Sequence, residues 1–147
     1  MQIVTLYLVT ALVFLILDAV MLNLVLKPLF EARIGPIMAE NMRLGAAAAF
    51  YLAYVAALLY LVSVPALRAG DPAQALVGGA VLGFAAYGTY EFTSYAILRD
   101  WHWSMVATDV AWGTVLTAVT AWAGVAARRA CGWGGWTGRR DAVTWVS

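Results

Sequence analysis

Four uninterrupted apolar runs constrain this chain more than anything else in it. They cover residues 3–26, 44–67, 75–98 and 104–127. Each is about 36 Å long as a helix at roughly 1.5 Å per residue. A hydrocarbon core about 30 Å thick needs some 20 residues, so each run spans it with length left for tilt. A soluble bundle would show a polar stripe on each helix, and these runs show none. Only 12% of the residues are charged, roughly half the usual share of a soluble domain. The expected fold is all-α: an integral membrane four-helix transmembrane bundle over 1–127, followed by a flexible Arg-, Trp- and Gly-rich tail over 128–147.

The first run has no basic segment before it and no small-residue cleavage site after it, so it reads as a retained anchor rather than a cleaved signal. Four crossings put both termini on one face, here called A. The tight turn 99–103 and the longer connection 27–43 fall on the opposite face, B. The segment from Lys27 to Gly35 mixes apolar and charged residues. It reads equally as a short interfacial helix and as a solvated connector. Pro65, Gly70 and Pro72 mark the connection on face A. Face A holds five arginines (Arg68, Arg128, Arg129, Arg139 and Arg140) against four basic residues on face B (Lys27, Arg33, Arg43 and Arg99). That bias places both termini in the cytoplasm. Trp133, Trp136 and Trp145 in the tail suit either a headgroup-level anchor or a loose end.

Three carboxylates interrupt the apolar runs: Asp18, Glu91 and Asp109. Counted from the face-B ends of their runs, they lie about 12, 10 and 8 Å deep at the helical rise. An intramembrane acid is costly and is a functional candidate by default. Residues three, four and seven apart share a helix face. By that spacing Glu91 shares its face with Tyr87, Ser94 and Tyr95, and Asp109 shares its face with Trp112 and Gly113. The second helix brings Phe50, Tyr51 and Tyr54 to similar depth. The candidate ligand-binding set is therefore Asp18, Glu91, Asp109, Tyr54, Tyr87, Tyr95 and Trp112, with Arg99 and His102 from the rim. Acids close together repel when both are ionised, so one holds a proton while another ionises. The plainer alternative is that these acids bond neighbouring hydroxyls and act as interhelical glue. His102, flanked by Trp101 and Trp103, reads more readily as part of an interfacial belt than as a metal ligand.

Gly79 and Gly83 form G-x-x-x-G, and Ala49, Ala53 and Ala57 repeat at the same spacing. Small faces of this kind let helices approach closely. They suit packing within the chain or, as the alternative, an oligomer or a complex partner. Cys131 is the only cysteine, so no internal disulfide and no cysteine metal cluster is expected. A net charge of +1 argues against nucleic acid as a partner.

Several blocks of this chain resemble a bacterial family of small predicted membrane proteins, domain of unknown function 2177. They are Leu17-Asp18, Lys27-Pro28-Leu29-Phe30 with Ile34-Gly35, Phe50-Tyr51-Leu52-Ala53-Tyr54, and Gly83-Phe84-Ala85-Ala86-Tyr87-Gly88-Thr89-Tyr90. Leu98-Arg99-Asp100-Trp101 and Asp109-Val110-Ala111-Trp112-Gly113-Thr114 complete the resemblance. Two features depart from the family pattern. Tyr90-Glu91-Phe92-Thr93-Ser94 stands where the family favours Tyr-Asp-Leu-Thr-Asn, and Met21 stands where it favours an aromatic residue. The resemblance implies a four-helix protein of the bacterial inner membrane and supplies no activity.

Function is thus expected to reside in a cavity open towards face B that takes a lipid, another small amphiphile or a cation, with the bilayer as the surrounding partner. A lipid-acting enzyme is the second possibility, with paired carboxylates as acid and base. The chain offers it no nucleophile with a neighbouring base, no metal motif and no cofactor fingerprint. An accessory subunit, docking through Gly79 and Gly83, is the third.

Overall fold

The computed structural model describes residues 2–39, 41 and 43–130. Among these every regular element is helical. Helix α1 (Gln2–Met21) runs through a π-helical turn (Leu22–Leu26) into α2 (Lys27–Ile34), and a short 3-10 turn follows (Gly35–Ile37). Helix α3 (Leu44–Leu58) runs through a second π turn (Leu59–Ser63) into α4 (Val64–Ala69). Two long helices follow, α5 (Pro72–Ile97) and α6 (Trp103–Ala130).

The two π turns have one cause. In each rod a proline is the second residue of the following α segment, Pro28 in α2 and Pro65 in α4. A proline inside a helix lacks an N–H and its ring clashes with the carbonyl four residues back. That carbonyl belongs to Leu24 or Leu61, and both lie inside the widened turn. The extra residue per turn makes room for the ring and lets the rod continue. The two sites share a short sequence pattern, Leu22-Asn23-Leu24-Val25-Leu26-Lys27-Pro28 and Leu59-Tyr60-Leu61-Val62-Ser63-Val64-Pro65.

Helix boundaries differ from expectation for this reason. The first rod does not stop at Leu26 but stays helical to Ile34, so Lys27–Ile34 is a helix continuous with the first rod rather than a loose connector. Pro65 lies within a helix, and the face-A turn is made by the residues after it. Gly70 ends α4 at a φ of 68°, a left-handed conformation that costs glycine nothing. Asp71 then caps α5, its Oδ1 accepting from the Ala73 N–H at 2.9 Å, and Pro72 takes the first helical position, where no N–H is needed.

Three rods are long and apolar enough to cross a membrane: Leu6–Ile37, Leu44–Ala69 and Trp103–Arg128. The assembly is an all-α membrane bundle. On α1, Val4, Leu8, Leu12, Ile16, Val20 and Leu24 recur every four residues and are all more than half exposed. In hydrocarbon such a stripe carries no penalty, because lipid is as apolar as leucine. Helix α5 is long enough to cross but falls short in apolarity, through its glycines, Thr89, Thr93, the tyrosines and Glu91. Its small and polar residues face inward: Gly79, Gly83, Gly88, Glu91 and Ser94 are buried.

Those residues pack on α6, which also touches α1 and the second π turn. A Cβ on Gly79 would stand 2.8 Å from the Thr117 carbonyl, and one on Gly83 would stand 2.5 Å from the Gly113 carbonyl. On the opposite helix, the space a Gly113 Cβ needs is already filled by the Tyr87 ring. The G-x-x-x-G face is therefore a seam inside the chain. Ala49 and Ala53 remain exposed. Cys131 and the tail tryptophans lie outside the described residues.

Overpacking a tight helix seam costs about 1–3 kcal/mol or more. Gly83→Leu is expected to lower the thermal unfolding midpoint in detergent sharply, as read by circular dichroism. Ala53→Leu, on the exposed face of α3, is expected to leave that midpoint nearly unchanged.

Candidate functional site

Asp18 continues the inward face of α1, one turn after buried Phe14. The Phe14 ring lies 5.9 Å from Tyr51 and 5.6 Å from Tyr54 between centroids. That packing holds two tyrosines of α3 beside the acid. The Tyr51 hydroxyl faces the Asp18 carboxyl. From α6, Trp112 Nε1 donates to Asp18 Oδ1 at 3.3 Å. Tyr54 is fixed further in, with its hydroxyl 3.0 Å from Thr117 Oγ1 and the Tyr87 ring edge-on at 6.5 Å. Thr117 Oγ1 in turn donates to the Gly113 carbonyl at 2.7 Å. The Tyr54 hydroxyl is thus tied to the α5–α6 seam.

Asp109 lies within electrostatic reach of both Glu91 and Asp18. Glu91 has no exposed surface. Trp101 Nε1 donates to its Oε2 at 2.8 Å, while its Oε1 meets no donor. Trp101 is itself held edge-on by Phe30 of α2 at 5.4 Å and by Tyr90 at 5.6 Å. Ile34, Met105, Val106 and Val110 close the cluster. Helix α2 therefore rests on the α5–α6 turn, with the tryptophan as the joint.

Between these elements lies a cavity of about 1430 Å³. Asp18 and Asp109 form its polar part, Phe50, Tyr51, Tyr54, Tyr87 and Tyr90 give it aromatic walls, and Lys27, Glu31 and Arg43 stand at its rim. Its exposed margin follows α2 and the segment after it. Lys27 pairs with Glu31 one turn along the same helix at 3.7 Å, so it does not turn inward to the acids. An exposed pair of this kind adds little stability.

The structure thus brings together Asp18, Asp109, Tyr54 and Tyr87, with Trp112 behind Asp18. Glu91 stands behind Asp109 and does not line the cavity. Tyr95, Arg99 and His102 lie elsewhere, around a separate depression of about 580 Å³ beside Trp103. Tyr95 packs on Trp103 at 6.0 Å. His102 Nδ1 accepts from the Ser104 N–H at 3.2 Å and lies 2.9 Å from Ser104 Oγ, so the imidazole caps α6. Helix spacing alone had grouped Tyr95 with Glu91, but the two side chains diverge at the end of α5. The Trp101–Glu91 bond escaped sequence reasoning because it crosses a turn rather than a helix face. The only cue was an indole just beyond the helix that carries the acid. The wall supplied by α2 escaped because the charged residues from Lys27 onward interrupt the apolar run that marks the first helix. Among the described residues no three His, Cys, Asp or Glu side chains converge as a metal site would require.

A family model described as predicted membrane protein (DUF2177) matches residues 3–126. The chain belongs to that family. No curated protein and no solved structure matches it. The DUF2177 match takes in all three acids, every tyrosine of the cavity and both π turns.

A buried carboxyl oxygen stripped of its donor costs about 1–3 kcal/mol. Trp101→Phe is expected to cost stability of that order, read as a lower melting midpoint, because it removes the indole donor from Glu91 Oε2. Glu91→Gln keeps an acceptor for the indole and is expected to melt close to the unaltered chain in the same assay.

Proposed function

We propose that this DUF2177 protein binds a small amphiphile drawn from the bilayer, holding its polar end at Asp18 and Asp109 and its apolar part along the aromatic walls. The observation that carries the reading is the cavity itself. At about 1430 Å³ it exceeds the few hundred to about 1,000 Å³ of ordinary small-molecule pockets. It is walled by aromatic and aliphatic side chains, with Asp18 and Asp109 as its acidic part and Lys27, Glu31 and Arg43 at its rim. Binding and release from one side of the membrane would make it a carrier, and retention would make it a lipid-dependent receptor. Tyr51 joins the site by its place beside Asp18, whereas Tyr95, Arg99 and His102 drop out of it.

The test is native mass spectrometry from mild detergent. The unaltered chain is expected to carry a bound lipid-sized adduct, and Asp18→Asn/Asp109→Asn is expected to lose it while circular dichroism stays helical. Tyr95→Ala, in the separate depression, is expected to keep the adduct. An adduct retained by the double variant at the same occupancy overturns the reading.

In the same proposal the chain is a multi-pass protein of the bacterial inner membrane, with α5 as a fourth crossing and both termini cytoplasmic. Helix α5 crosses because its polar face is covered by α6, which leaves Val77, Val81 and Phe84 to face lipid. Cys131, the sole thiol, is expected to resist an impermeant maleimide in whole cells and to react after permeabilisation. Labelling without permeabilisation reverses the orientation.

A further inference from the structure

We propose that the amphiphile is cationic: its polar end is an ammonium group that sits between Asp18 and Asp109 and takes the place of a proton shared by Asp109 and Glu91. This deepens the binding reading above and rests on it. Both cavity carboxyls are deeply buried, with Asp18 5% and Asp109 8% exposed. Buried charges need partners; of the two rim cations, Lys27 is engaged with Glu31 and Arg43 is exposed at the mouth.

The hydrogen-bond inventory points the same way. A carboxylate offers about four acceptor sites and no donor. Asp18 receives one long bond from Trp112 and is faced by the Tyr51 hydroxyl. Asp109 faces the cavity, with the Glu91 carboxyl beside it and Asp18 further off. The unused acceptors therefore require an occupant that brings donors or positive charge. A phosphate or sulfate headgroup would add negative charge to a negative floor, and juxtaposed like charges are strongly unfavourable.

The walls are suited to an organic cation rather than a bare ion. The rings of Tyr51, Tyr54 and Tyr87 surround the space beside Asp18. Aromatic faces attract ammonium groups and are the usual means of recognising quaternary ones. No cluster of three metal-ligating side chains is present among the described residues. The length of the cavity beyond the acids, past Leu22, Leu26 and Phe50, needs an alkyl chain to fill it.

The proton follows from the pairing behind the floor. Glu91 Oε1 is buried without a donor, and Asp109 is its carboxyl neighbour. Two carboxyls in contact cannot both ionise cheaply, so they hold one proton between them. The groups facing Asp109 are Asp18 from α1, Tyr51 from α3, and Tyr87, Tyr90 and Glu91 from α5. None is basic. When an ammonium group arrives at Asp109 it supplies the charge compensation that the proton supplied, and the proton leaves to solvent through the cavity mouth. Low pH, which favours the proton, opposes binding.

The full chain in nanodiscs of zwitterionic lipid would be titrated with dodecyltrimethylammonium, dodecyl sulfate and dodecyl maltoside, each below its micellar concentration. Binding is read from tryptophan fluorescence and proton release from a pH-indicator dye in weak buffer. The quaternary cation is expected to bind about tenfold or more tighter than the other two, a preference worth about 1.4 kcal/mol. It is expected to release a proton on binding and to weaken as pH falls. Asp18→Asn/Asp109→Asn should lose that preference, and Asp18→Glu/Asp109→Glu should keep most of it. The wild-type charge preference and proton release need no variant, so misfolding of a variant leaves the test intact. Equal binding of all three probes without proton release sinks the cationic assignment while sparing the amphiphile reading. No binding by any probe, together with no lipid adduct in the mass spectrum, sinks both.

Discussion

The close approach of α5 to α6 sets the register on which everything else depends. The two helices meet in steps of four residues. Gly79 lies against Thr117 and Ala118, Gly83 against Gly113, and the Tyr87 ring over Gly113. One turn further, the same antiparallel register brings Glu91 to Asp109. The acids meet because the glycines upstream leave no other spacing for the backbones. In a membrane this seam cannot rely on apolar transfer, since lipid solvates side chains as well as a neighbouring helix does. Tight van der Waals packing and a few interhelical hydrogen bonds must hold it. Thr117 serves both ends, with its methyl-bearing side chain against Gly83 and its hydroxyl bonded within α6 and to Tyr54.

Around that seam the two proline-bearing rods are built to bend without breaking. A helix that lost its hydrogen bonds at Pro28 or Pro65 would expose backbone groups at membrane depth, where no water can satisfy them. The π turns widen the ladder instead of interrupting it. In the first rod the consequence is functional. Helix α2 stays attached to α1, comes to rest on Trp101 and walls the cavity that Asp18 faces. In the second rod the turn presents Val62 to Gly78, with a Cγ 3.0 Å from where a Cβ would be, so this approach also depends on a glycine.

Much of this was legible in the sequence. Length and apolarity alone give the rods, because the bilayer tolerates few alternatives. The i, i+4 spacing of Gly79, Gly83 and Tyr87, and of Asp109 and Gly113, carries the seam, and Tyr54, Tyr87 and Asp18 follow from helix faces. What could not be read depends on chain direction at helix ends. Whether Tyr95 shares a cavity with Glu91 depends on where α5 stops, and whether Trp101 points inward depends on a turn of a few residues. The path of Lys27–Ile34 depended on a π turn, which no period of 3.6 reveals. Proline was read as a terminator where the backbone had absorbed it.

A bundle selected only for packing would not keep Glu91 and Asp109 where they are. Interhelical glue needs its polar atoms satisfied, and Thr117 bonds on two sides and Tyr54 on one, although the buried hydroxyls of Thr10, Ser63 and Thr120 meet no partner. At the acids the shortfall falls on carboxyls, because Glu91 Oε1 finds no donor and Asp109 opens onto a cavity. A buried polar atom left without a partner calls for an explanation in function or in an unseen occupant. Leucine at position 109 would pack against the same neighbours without the desolvation cost that an intramembrane carboxyl carries. At this end of the seam the local sequence disagrees with the stability of the fold at a carboxyl, the costliest kind of group to bury. Local conflict of that kind is expected where a protein does its work. His102 stands apart from the site, since its Nδ1 is used in capping α6 and its ring lies in the separate depression.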